Sequence, residues 1–294
     1  MNGIIIVDKP ADWTSHDVVA KLRGVLKEKR IGHSGTLDPM ATGVLPVFVG
    51  RATRAVEFCG NDEKEYVAGF RAGITTNTQD ITGTTLRTCD RSVSADELMA
   101  VLPRFMGAQK QLPPMYSAIK ISGKKLYELA RKGLDVPRPE REIFISCIEL
   151  LSGGGNEFSL RVVCSKGTYI RTLCHDIGAA LGCGGAMSSL RRTRAGAFNS
   201  DKAYQLSEVI DAVSADHAES IFMPVDTVFS EFPPIALSDA ESHACRNGAP
   251  RGAGSYKDGK YRFYSPDGEF LLFGEVVSGE IRIIKTFFDP KEAE

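Results

Sequence analysis

The sequence has few features of a metal-bound or disulfide-linked protein. It contains seven cysteines, an odd number, and no two of them form a Cys-x-x-Cys pair. Cys164, Cys174 and Cys183 are scattered through apolar or glycine-rich sequence. Closely spaced pairs are the usual zinc signal, and an even set at regular spacing is typical of secreted disulfide frameworks. We therefore expect reduced thiols, a cytoplasmic protein and no metal site.

Long apolar runs are also missing. The first residues, MNGIIIVDKP, contain an apolar run of only four residues, without a basic flank or a small-residue cleavage site. A secretory signal needs those flanks, and a membrane span needs about 20 apolar residues. This stretch therefore predicts a first strand, and we expect no membrane segment.

Two catalytic loops are excluded at the glycine-rich segment GHSGTLDPMATGVLPVFVG, residues 32–50. Its serine lacks the glycine two positions later that a nucleophile elbow requires, and no Gly-Lys-Ser/Thr follows as in a phosphate-binding loop. The one acidic residue of the segment is Asp38, and an apolar run typical of a central strand follows it. Asp before Pro commonly begins a turn, so a purely structural role is open. A glycosidase role is also open, although no motif supplies a second carboxylate.

Charge is unevenly distributed around a net value of −1. Residues 104–141 contain nine Lys or Arg and three Asp or Glu, and residues 161–202 contain seven and two. Residues 203–242 contain eight acids and no Lys or Arg. The acidic stretch cancels the net charge without removing the basic surface, so a polyanionic partner is permitted.

Local patterns predict strands and helices without a regular βαβ repeat. Strands are expected at 4–7, 44–50, 65–73 and in a hairpin across the turn SGGGN, residues 152–156. Helices are expected after Thr14 or Ser15, after the capping-box pair Ser94 and Glu97, and over the basic stretch KKLYELARKG, closed by Gly133. Beyond residue 231 the pattern becomes mainly β, with three strands separated by SPDG and SG turns.

Several of these stretches together resemble one known family. GTLDPMATGVL, preceded by DKPADWTS and followed by GRATR, is similar to the signature of the TruB family of tRNA pseudouridine synthases. The resemblance continues through KEYVAGFRAGITTNTQDITG, QLPPMYSAIKISGKKLYELARKG, SKGTYIRTLCHDIGAALG and SSLRRTRAG, in the family's order. It covers nearly all of residues 1–200 and implies an α+β fold. That fold has a catalytic domain over 1–230 with a mixed, mainly antiparallel sheet, and a small C-terminal β domain, PUA-like, over 231–294.

The resemblance implies a set of site residues. It makes Asp38, in Leu-Asp-Pro, the catalytic carboxylate, with Tyr66 stacking on the target base and handling the proton on carbon 5. Arg171 would lie beside Asp38, keep it charged and orient it, and Tyr169 would share the site. Because these last two residues are two positions apart, an extended segment would place both on one side. The alternatives are strand packing for Tyr66, and a phosphate contact or a surface charge for Arg171.

Further residues are implied for binding the substrate. His33 would occupy the space that a flipped nucleotide vacates, and Leu190 would be an apolar pocket residue; packing alone is the alternative for both. Lys9, in DKP, matches a motif with a partly structural role and is not placed in the catalytic set. The basic insertion around 104–141 corresponds to a family element that folds over RNA; a solvated helix face is the alternative. Its expected phosphate contacts are Lys124, Lys125, Arg131 and Lys132.

Together with this resemblance, the sequence predicts a cytoplasmic, monomeric isomerase that converts uridine-55 in the T loop of tRNA to pseudouridine. Neither a metal nor an organic cofactor is expected, and no protein partner is required. The C-terminal domain would assist the docking of tRNA. Two rival hypotheses remain: a tRNA-binding chaperone without essential catalysis, and a nucleoside or glycoside hydrolase.

Overall fold

The computed structural model of the chain describes residues 1–61, 63–121, 123–250 and 256–289. The chain mixes strands and helices without a regular βαβ repeat, as the sequence predicts. In chain order the strands are β1 (Gly3–Lys9), β2 (Ile31–His33), β3 (Thr42–Val49), β4 (Lys64–Ala72), β5 (Ile74–Thr76), β6 (Thr85–Thr88), β7 (Gly107–Gln111), β8 (Lys120–Ile121), β9 (Lys124–Lys125), β10 (Arg141–Gly154), β11 (Glu157–Cys164), β12 (Gly185–Ala195), β13 (Phe198–Asn199), β14 (Tyr204–Gln205), β15 (Pro234–Ala236), β16 (Gly259–Tyr264), β17 (Phe270–Val277) and β18 (Glu280–Thr286).

The helices lie between these strands and pack against them. The α-helices are α1 (Ser15–Leu26), α2 (Ala95–Val101), α3 (Leu126–Ala130), α4 (Ile170–Ala180), α5 (Leu206–Ser214) and α6 (Asp239–Arg246). The 3-10 helices are Gly50–Asn61, Leu102–Phe105, Ser200–Lys202, Ala218–Ile221 and Val225–Phe229. No helix in the described part of the chain combines the length and apolar character that crossing a membrane requires.

One ten-stranded sheet forms the larger unit. Its order is β14-β1-β3-β12-β4-β11-β10-β7, with β2 also pairing with β3 and β13 with β12. Two pairs, β1 with β14 and β3 with β12, are parallel, and the other pairs are antiparallel. The predicted mixed, mainly antiparallel sheet is therefore confirmed.

The first strands are buried on both faces because their side chains alternate between two cores. Ile4 and Ile6 of β1 point into a cluster shared with the C-terminal unit, whereas Ile5 and Val7 pack against the layer that contains α1 and α5. The third core lies under β4, β11 and β12 and contains α4. Two central strands of the sheet, β4 and β12, and the start of α4 contribute residues to the candidate site.

Local signals in the sequence account for several boundaries. A capping box closes the start of α1, where Thr14 and Asp17 exchange hydrogen bonds, and the predicted box of Ser94 and Glu97 opens α2. The predicted hairpin is formed by β10 and β11, which pair around the turn that contains Asn156. These predictions are confirmed.

A separate four-stranded sheet forms the C-terminal unit, in the order β15-β16-β17-β18. It contains the three predicted strands, has its own core, and shares a second core with the larger unit. In that shared core the Phe58 and Phe229 ring centroids are 5.1 Å apart, and Phe229 stacks on Phe273 at 4.4 Å. The C-terminal β unit is thus confirmed, while its exact boundary at residue 231 stays a prediction.

Candidate active site

Asp38 lies in the loop between β2 and β3, and its side chain is 39% exposed. Hydrogen bonds hold the loop in one shape. The Ala41 N–H donates to the Asp38 carbonyl at 3.0 Å, and the Leu37 N–H donates to the buried Ser15 hydroxyl at 2.9 Å. The strand that follows is buried throughout after Thr42. A firmly held loop therefore presents the carboxylate to solvent.

A buried lysine anchors the same loop. The Lys9 Nζ donates to the carbonyl oxygens of Pro10 at 2.8 Å, Trp13 at 2.5 Å and Pro39 at 3.1 Å. Burial of this fully enclosed side chain lowers the pKa of Lys9 to about 8, although nearby carboxylates oppose the shift. Because Pro39 follows Asp38, the ammonium fixes the backbone that carries the carboxylate.

The carboxylate of Asp38 is paired with Arg171 through two contacts. Arg171 Nε lies 2.9 Å from Asp38 Oδ2, and Arg171 Nη2 donates to Asp38 Oδ1 at 3.3 Å. The Arg171 side chain is only 5% exposed. A two-point contact with a planar guanidinium fixes the orientation of a carboxylate as well as its charge environment. The structure thus brings together the two residues that the sequence predicts to be neighbours.

The backbone around Arg171 is helical, so the prediction of an extended segment is wrong. Helix α4 begins at Ile170, with Tyr169 as its N-cap residue and Arg171 in the first turn. The helix forms because apolar residues such as Ile170, Leu173 and Ile177 recur at helical spacing and are buried. Tyr169 and Arg171 nevertheless line one cavity.

Arg171 has further partners that sequence reasoning missed. Its Nη1 donates to the Thr78 carbonyl at 3.1 Å, its Nη2 to the Tyr116 carbonyl at 2.8 Å, and its Nε lies 3.8 Å from Asp80 Oδ2. Asp80 is 8% exposed and also accepts from the Thr82 N–H at 3.0 Å. An aspartate in a polar turn gives no sign in the sequence that it will meet a distant arginine. Arg171 is held by two carboxylates and two carbonyls, so it cannot swing away from Asp38.

The sheet supplies a second part of the site through β4 and β12. Tyr66 lies opposite Arg192 in the antiparallel pair, and Tyr66 and Leu190 are 7% and 8% exposed. Burial raises the pKa of the Tyr66 phenol, and the positive charge of Arg192 opposes this shift. Arg192 is fully buried, with Nε donating to the Val44 carbonyl at 2.7 Å and Nη2 to the Gly35 carbonyl at 3.0 Å. Sequence reasoning missed Arg192, since neighbouring arginines in SSLRRTR look alike.

A glycine allows this close packing. Gly43 has a φ of +99°, and a Cβ placed there would lie 2.2 Å from the Arg192 carbonyl oxygen. No side chain fits in that gap, and L residues rarely adopt that backbone conformation. Gly43 therefore lets β3 pair in parallel with β12 beside Arg192.

These elements enclose a cavity of about 460 Å³. The sheet, the loop of Asp38, the start of α4 and part of the segment after β7 all contribute to its wall. Its lining residues are Gly35, Thr36, Leu37, Asp38, Lys64, Tyr66, Ser117, Ala118, Ile119, Arg141, Gly167, Thr168, Tyr169, Ile170, Arg171, Leu190 and Arg192. Five of the predicted site residues, Asp38, Tyr66, Tyr169, Arg171 and Leu190, thus line one cavity.

Gln111 fixes the backbone of Tyr169 and was also missed. The Tyr169 N–H donates to Gln111 Oε1 at 2.8 Å, and Gln111 Nε2 donates to the Tyr169 carbonyl at 3.1 Å. Gln111 is 4% exposed and is the last residue of β7. The carboxamide therefore ties the edge strand of the sheet to the start of α4.

His33 lies at the end of β2 and is not among the lining residues of the cavity. It is close in the chain to Gly35, which does line it. Its Nδ1 is buried without a hydrogen-bond partner among the described residues. Burial lowers the pKa of the His33 imidazole, and the nearby charges of Arg192 and His16 act in the same direction. His33 therefore lies beside the cavity as a ring whose neutral form is favoured.

The residues predicted to contact phosphates lie outside the cavity, in the segment between β7 and β10. We call residues 112–140 the basic segment. Lys124, Arg131 and Lys132 are exposed, and Lys125 is partly buried. Lys125 Nζ and the Arg131 guanidinium each lie 5.4 Å from the Tyr127 ring centroid. Lys125 and Arg131 thus lie together at Tyr127, whose N–H donates to the carbonyl of the cavity-lining residue Ser117.

The predicted helix over KKLYELARKG is much shorter than expected. Only Leu126–Ala130 is helical, and Lys124–Lys125 form a short strand instead. The Leu126 N–H donates to the Ile119 carbonyl at 2.8 Å, and the Tyr127 N–H to the Ser117 carbonyl at 3.0 Å. These long-range bonds take up the backbone that would have continued a helix toward its N-terminus. The predicted insertion also begins inside the sheet, since residues 107–111 are β7.

Within the described ranges, no three His, Cys, Asp or Glu side chains are grouped so that they could hold a metal ion. The polar groups of the cavity wall are hydroxyls, cations and a carboxylate. They can pair with the charges, ring edges and hydroxyls of an organic ligand.

Comparison with known protein families shows to which family the chain belongs. A profile described as "TruB family pseudouridylate synthase (N terminal domain)" matches residues 23–170. The chain belongs to the TruB family. A second TruB profile, "tRNA pseudouridylate synthase B C-terminal domain", matches residues 171–230. The two matches include Asp38, Tyr66 and Arg171, and family membership confirms the predicted class, a pseudouridine synthase.

Curated TruB proteins are similar over almost the whole chain. The tRNA pseudouridine synthase B of Syntrophomonas wolfei is 43% identical over 281 residues, which cover 94% of this chain and 93% of that protein. The protein of the same name from Azoarcus sp. is 42% identical over 282 residues, covering 96% and 93%. That from Clostridium kluyveri is 37% identical over 297 residues, covering 98% and 100%.

Solved structures share the TruB fold. A chain of an H/ACA ribonucleoprotein bound to a substrate RNA containing 2'-deoxyuridine aligns with a TM-score of 0.74 at 27% identity. The alignment covers 98% of this chain and 86% of that one. A chain of a Cbf5-Nop10-Gar1 complex aligns with a TM-score of 0.74 at 28% identity, covering 99% and 86%. The predicted α+β synthase fold is confirmed by these alignments.

Proposed function

We propose that this TruB protein converts uridine-55 in the T loop of tRNA to pseudouridine, with Asp38 as the catalytic carboxylate. One observation carries the proposal: the Asp38–Arg171 pair lines a cavity of about 460 Å³ together with Tyr66. Pockets of this size are typical of sites for ligands as large as a nucleotide. The names of the curated relatives support tRNA as the substrate.

The reaction requires a carboxylate at the junction of sugar and base. The bond from ribose carbon 1' to uracil N1 breaks, the base turns, and carbon 1' joins carbon 5, while a proton leaves carbon 5 and one is gained at N1. No heavy atom is gained or lost. An ionised carboxylate can act as the nucleophile or stabilise positive charge at that junction. Since Arg171 holds both oxygens of Asp38, the carboxylate keeps one orientation through these steps.

Tyr66 is proposed to act on the base. Its ring offers a stacking surface in the cavity wall, and its phenol stays protonated because burial raises its pKa. A protonated phenol can relay the carbon 5 proton by giving up its own hydroxyl proton as it accepts that one, so no charge is left in the buried wall. Leu190 and Tyr169 complete the surface around the base, and Gln111 holds the backbone of Tyr169.

The cavity favours an isomerase over a hydrolase of the two-carboxylate type. Asp38 is the one carboxylate among its lining residues in the described part of the chain. Asp80, which contacts Arg171, is 8% exposed and does not line the cavity. A glycosidase needs two carboxyl groups that both reach the scissile bond. Asp80 is therefore proposed to position Arg171 rather than to touch the substrate.

RNA contacts are proposed to lie around the cavity. Lys124, Lys125, Arg131 and Lys132 of the basic segment would contact phosphates, and the C-terminal unit would act as a PUA-like domain that helps dock tRNA. His33, beside the cavity, would fill the space left when uridine-55 flips out of its stack. The proposal requires one copy of the chain, no metal, no organic cofactor and no protein partner.

The decisive experiment uses an unmodified tRNA transcript and maps pseudouridine at every nucleotide. We expect modification at position 55 with the wild-type protein, and none with Asp38→Asn or with a transcript that carries cytidine at that position. Binding of tRNA without any pseudouridine would favour a chaperone. Release of free uracil would favour a hydrolase, and modification at another uridine would overturn the assignment of the position.

A further inference from the structure

Among the described residues, one buried polar group in the cavity wall has no hydrogen-bond partner. Arg171 and Arg192 donate to carbonyls and to Asp38, and the Tyr66 hydroxyl contacts Arg192. Ser117 also lines the cavity and is 6% exposed, yet its hydroxyl has no hydrogen-bond partner among the described residues. Buried polar side chains are normally paired, so an exception in a site needs an explanation.

The backbone on both sides of this hydroxyl is held in place. Arg171 Nη2 donates to the carbonyl of the preceding residue, Tyr116, at 2.8 Å, and the Tyr127 N–H donates to the Ser117 carbonyl at 3.0 Å. The first bond uses the same guanidinium that grips Asp38. Ser117 is therefore fixed relative to the catalytic pair, although the basic segment that carries it has little regular structure.

An unpaired hydroxyl in the cavity and a flipped base each lack a hydrogen-bond partner that the other can supply. When uracil flips out of its stack, its two carbonyl oxygens and its N–H lose their hydrogen-bond partners. Keeping these groups unpaired in a closed pocket costs free energy. We propose that the Ser117 hydroxyl hydrogen-bonds to the uracil ring of the flipped uridine and is a substrate-binding residue. The inference rests on the proposed function and adds a contact that comes from the basic segment.

A hydroxyl suits a base that turns during the reaction. It rotates about its C–O bond and can donate to a carbonyl oxygen or accept from an N–H. Arginine and lysine can only donate, so they could serve one edge of the ring but not the other. Ser117 can keep a hydrogen bond to the base before and after the turn, while Ala118 and Ile119 provide apolar contacts beside it.

The test compares Ser117→Ala with Ser242→Ala. Ser242, in α6 of the C-terminal unit, is likewise 6% exposed and has a hydroxyl without a partner among the described residues, so it is a matched control. Neither change removes a hydrogen bond of the protein, so both melting temperatures should stay equal to or above that of the wild type. For Ser117→Ala, kcat/KM on the tRNA transcript should fall roughly tenfold, and for Ser242→Ala it should not change.

Either of two results would overturn the inference. An unchanged kcat/KM for Ser117→Ala would show that the hydroxyl does not reach the substrate. A melting temperature well below that of Ser242→Ala would show that the hydroxyl has a protein partner and a structural role.

Modified substrates separate a contact to the base from one to the ribose. With 2-thiouridine or 4-thiouridine at the target, sulfur replaces a carbonyl oxygen and accepts hydrogen bonds weakly. Because the hydroxyl can also accept from the ring N–H, a third RNA carries 3-methyluridine, which lacks that hydrogen. The penalty of Ser117→Ala should shrink on at least one of the three RNAs if the hydroxyl binds the ring. The full penalty on all three would reject a contact to the base.

A binding measurement keeps this inference distinct from the proposed function. In the Asp38→Asn background, adding Ser117→Ala should weaken binding of a T-arm hairpin several-fold, and adding Ser242→Ala should not. If wild-type protein forms no pseudouridine, the proposed function fails, whatever these affinities are. If wild-type protein is active but the two double variants bind equally, the Ser117 inference fails alone.

Discussion

The two sides of the cavity differ in how the protein holds them. Tyr66, Leu190 and Arg192 come from β4 and β12, whose ladder runs through the sheet, and all three are buried. The basic segment contains two strands of two residues each and one helix of five residues, and many of its cations are exposed. Groups that must keep a fixed geometry lie on the rigid side, whereas groups that follow a substrate lie on the less structured side.

This contrast separates expected effects on turnover from expected effects on binding. Changes that remove only a polar group of a residue fixed by the sheet or by α4 should lower kcat and leave RNA affinity nearly unchanged. Changes at the exposed cations of the basic segment should lower affinity and its salt dependence. Ser117 lies where the two sides meet, because Arg171 holds the backbone next to it.

After the loss of Asp38 itself, the largest effect is expected for Arg171→Lys. Lysine keeps the positive charge but loses the planar fork that contacts both oxygens of Asp38 and the carbonyls of Thr78 and Tyr116. Loss of orientation at a reacting group costs about 10²–10³-fold in kcat. Single-turnover kinetics and RNA affinity should be measured together. A kcat within tenfold of wild type would show that the pair is not essential.

A smaller effect, on binding, is expected when Lys124, Lys125 and Lys132 are changed to Gln together. Each lost phosphate contact changes the slope of log affinity against log salt by roughly 0.7 to 0.9, so the slope should flatten by about two units. The matched control is a triple change of Lys21, Lys27 and Lys29 on α1 and the loop after it, outside the basic segment. Equal slopes for the wild type and the variant at Lys124, Lys125 and Lys132 would show that these lysines lie on a solvated face and contact no phosphate.

A moderate loss of turnover is expected for Tyr66→Phe. The ring remains for stacking, but the phenol that could handle the carbon 5 proton is lost, which should lower kcat about 10²-fold if that step is limiting. Tyr66→Leu should weaken productive binding further, since stacking is worth about 1 to 3 kcal/mol. If Tyr66→Phe turns over like wild type, only the stacking role survives.

The smallest effect is a pH dependence from Lys9. In its protonated form the side chain donates to three carbonyls, one of them Pro39 beside Asp38. Above its pKa of about 8 the amine has only two hydrogens to donate. Single-turnover rates should be constant below that pH, reach about half at pH 8 and fall further as pH rises. The Tyr66→Phe variant should show the same dependence of rate on pH. A wild-type rate that stays constant up to pH 9.5 would contradict this prediction.

Local signals made part of this structure predictable. The capping boxes of α1 and α2, the β10–β11 hairpin and the buried strand after Asp38 follow from patterns within a few residues of each other. The grouping of Asp38, Tyr66, Tyr169 and Arg171 followed from the family resemblance. Their spacing in the chain alone would not have brought them together.

The features that were missed depend on contacts between distant segments. Asp80, in a turn, and Gln111, on an edge strand, contact the start of α4 although both are far from it in the chain. Arg192 differs from Arg191 only in the face of β12 that it occupies. The prediction of a longer helix around α3 is wrong for the same reason. Backbone hydrogen bonds to residues 117–119 override the helical propensity of this stretch. No window of neighbouring residues contains that information.

The central claim is that Asp38 acts on a bound uridine and does not serve to bind RNA. The most direct test follows release of tritium from carbon 5 of labelled uridine in tRNA under single-turnover conditions, alongside tRNA affinity, for wild type and Asp38→Asn. We predict no detectable release by the variant with affinity within a few-fold of wild type, since phosphate contacts and stacking supply most of the binding. Appreciable release by Asp38→Asn would contradict the account.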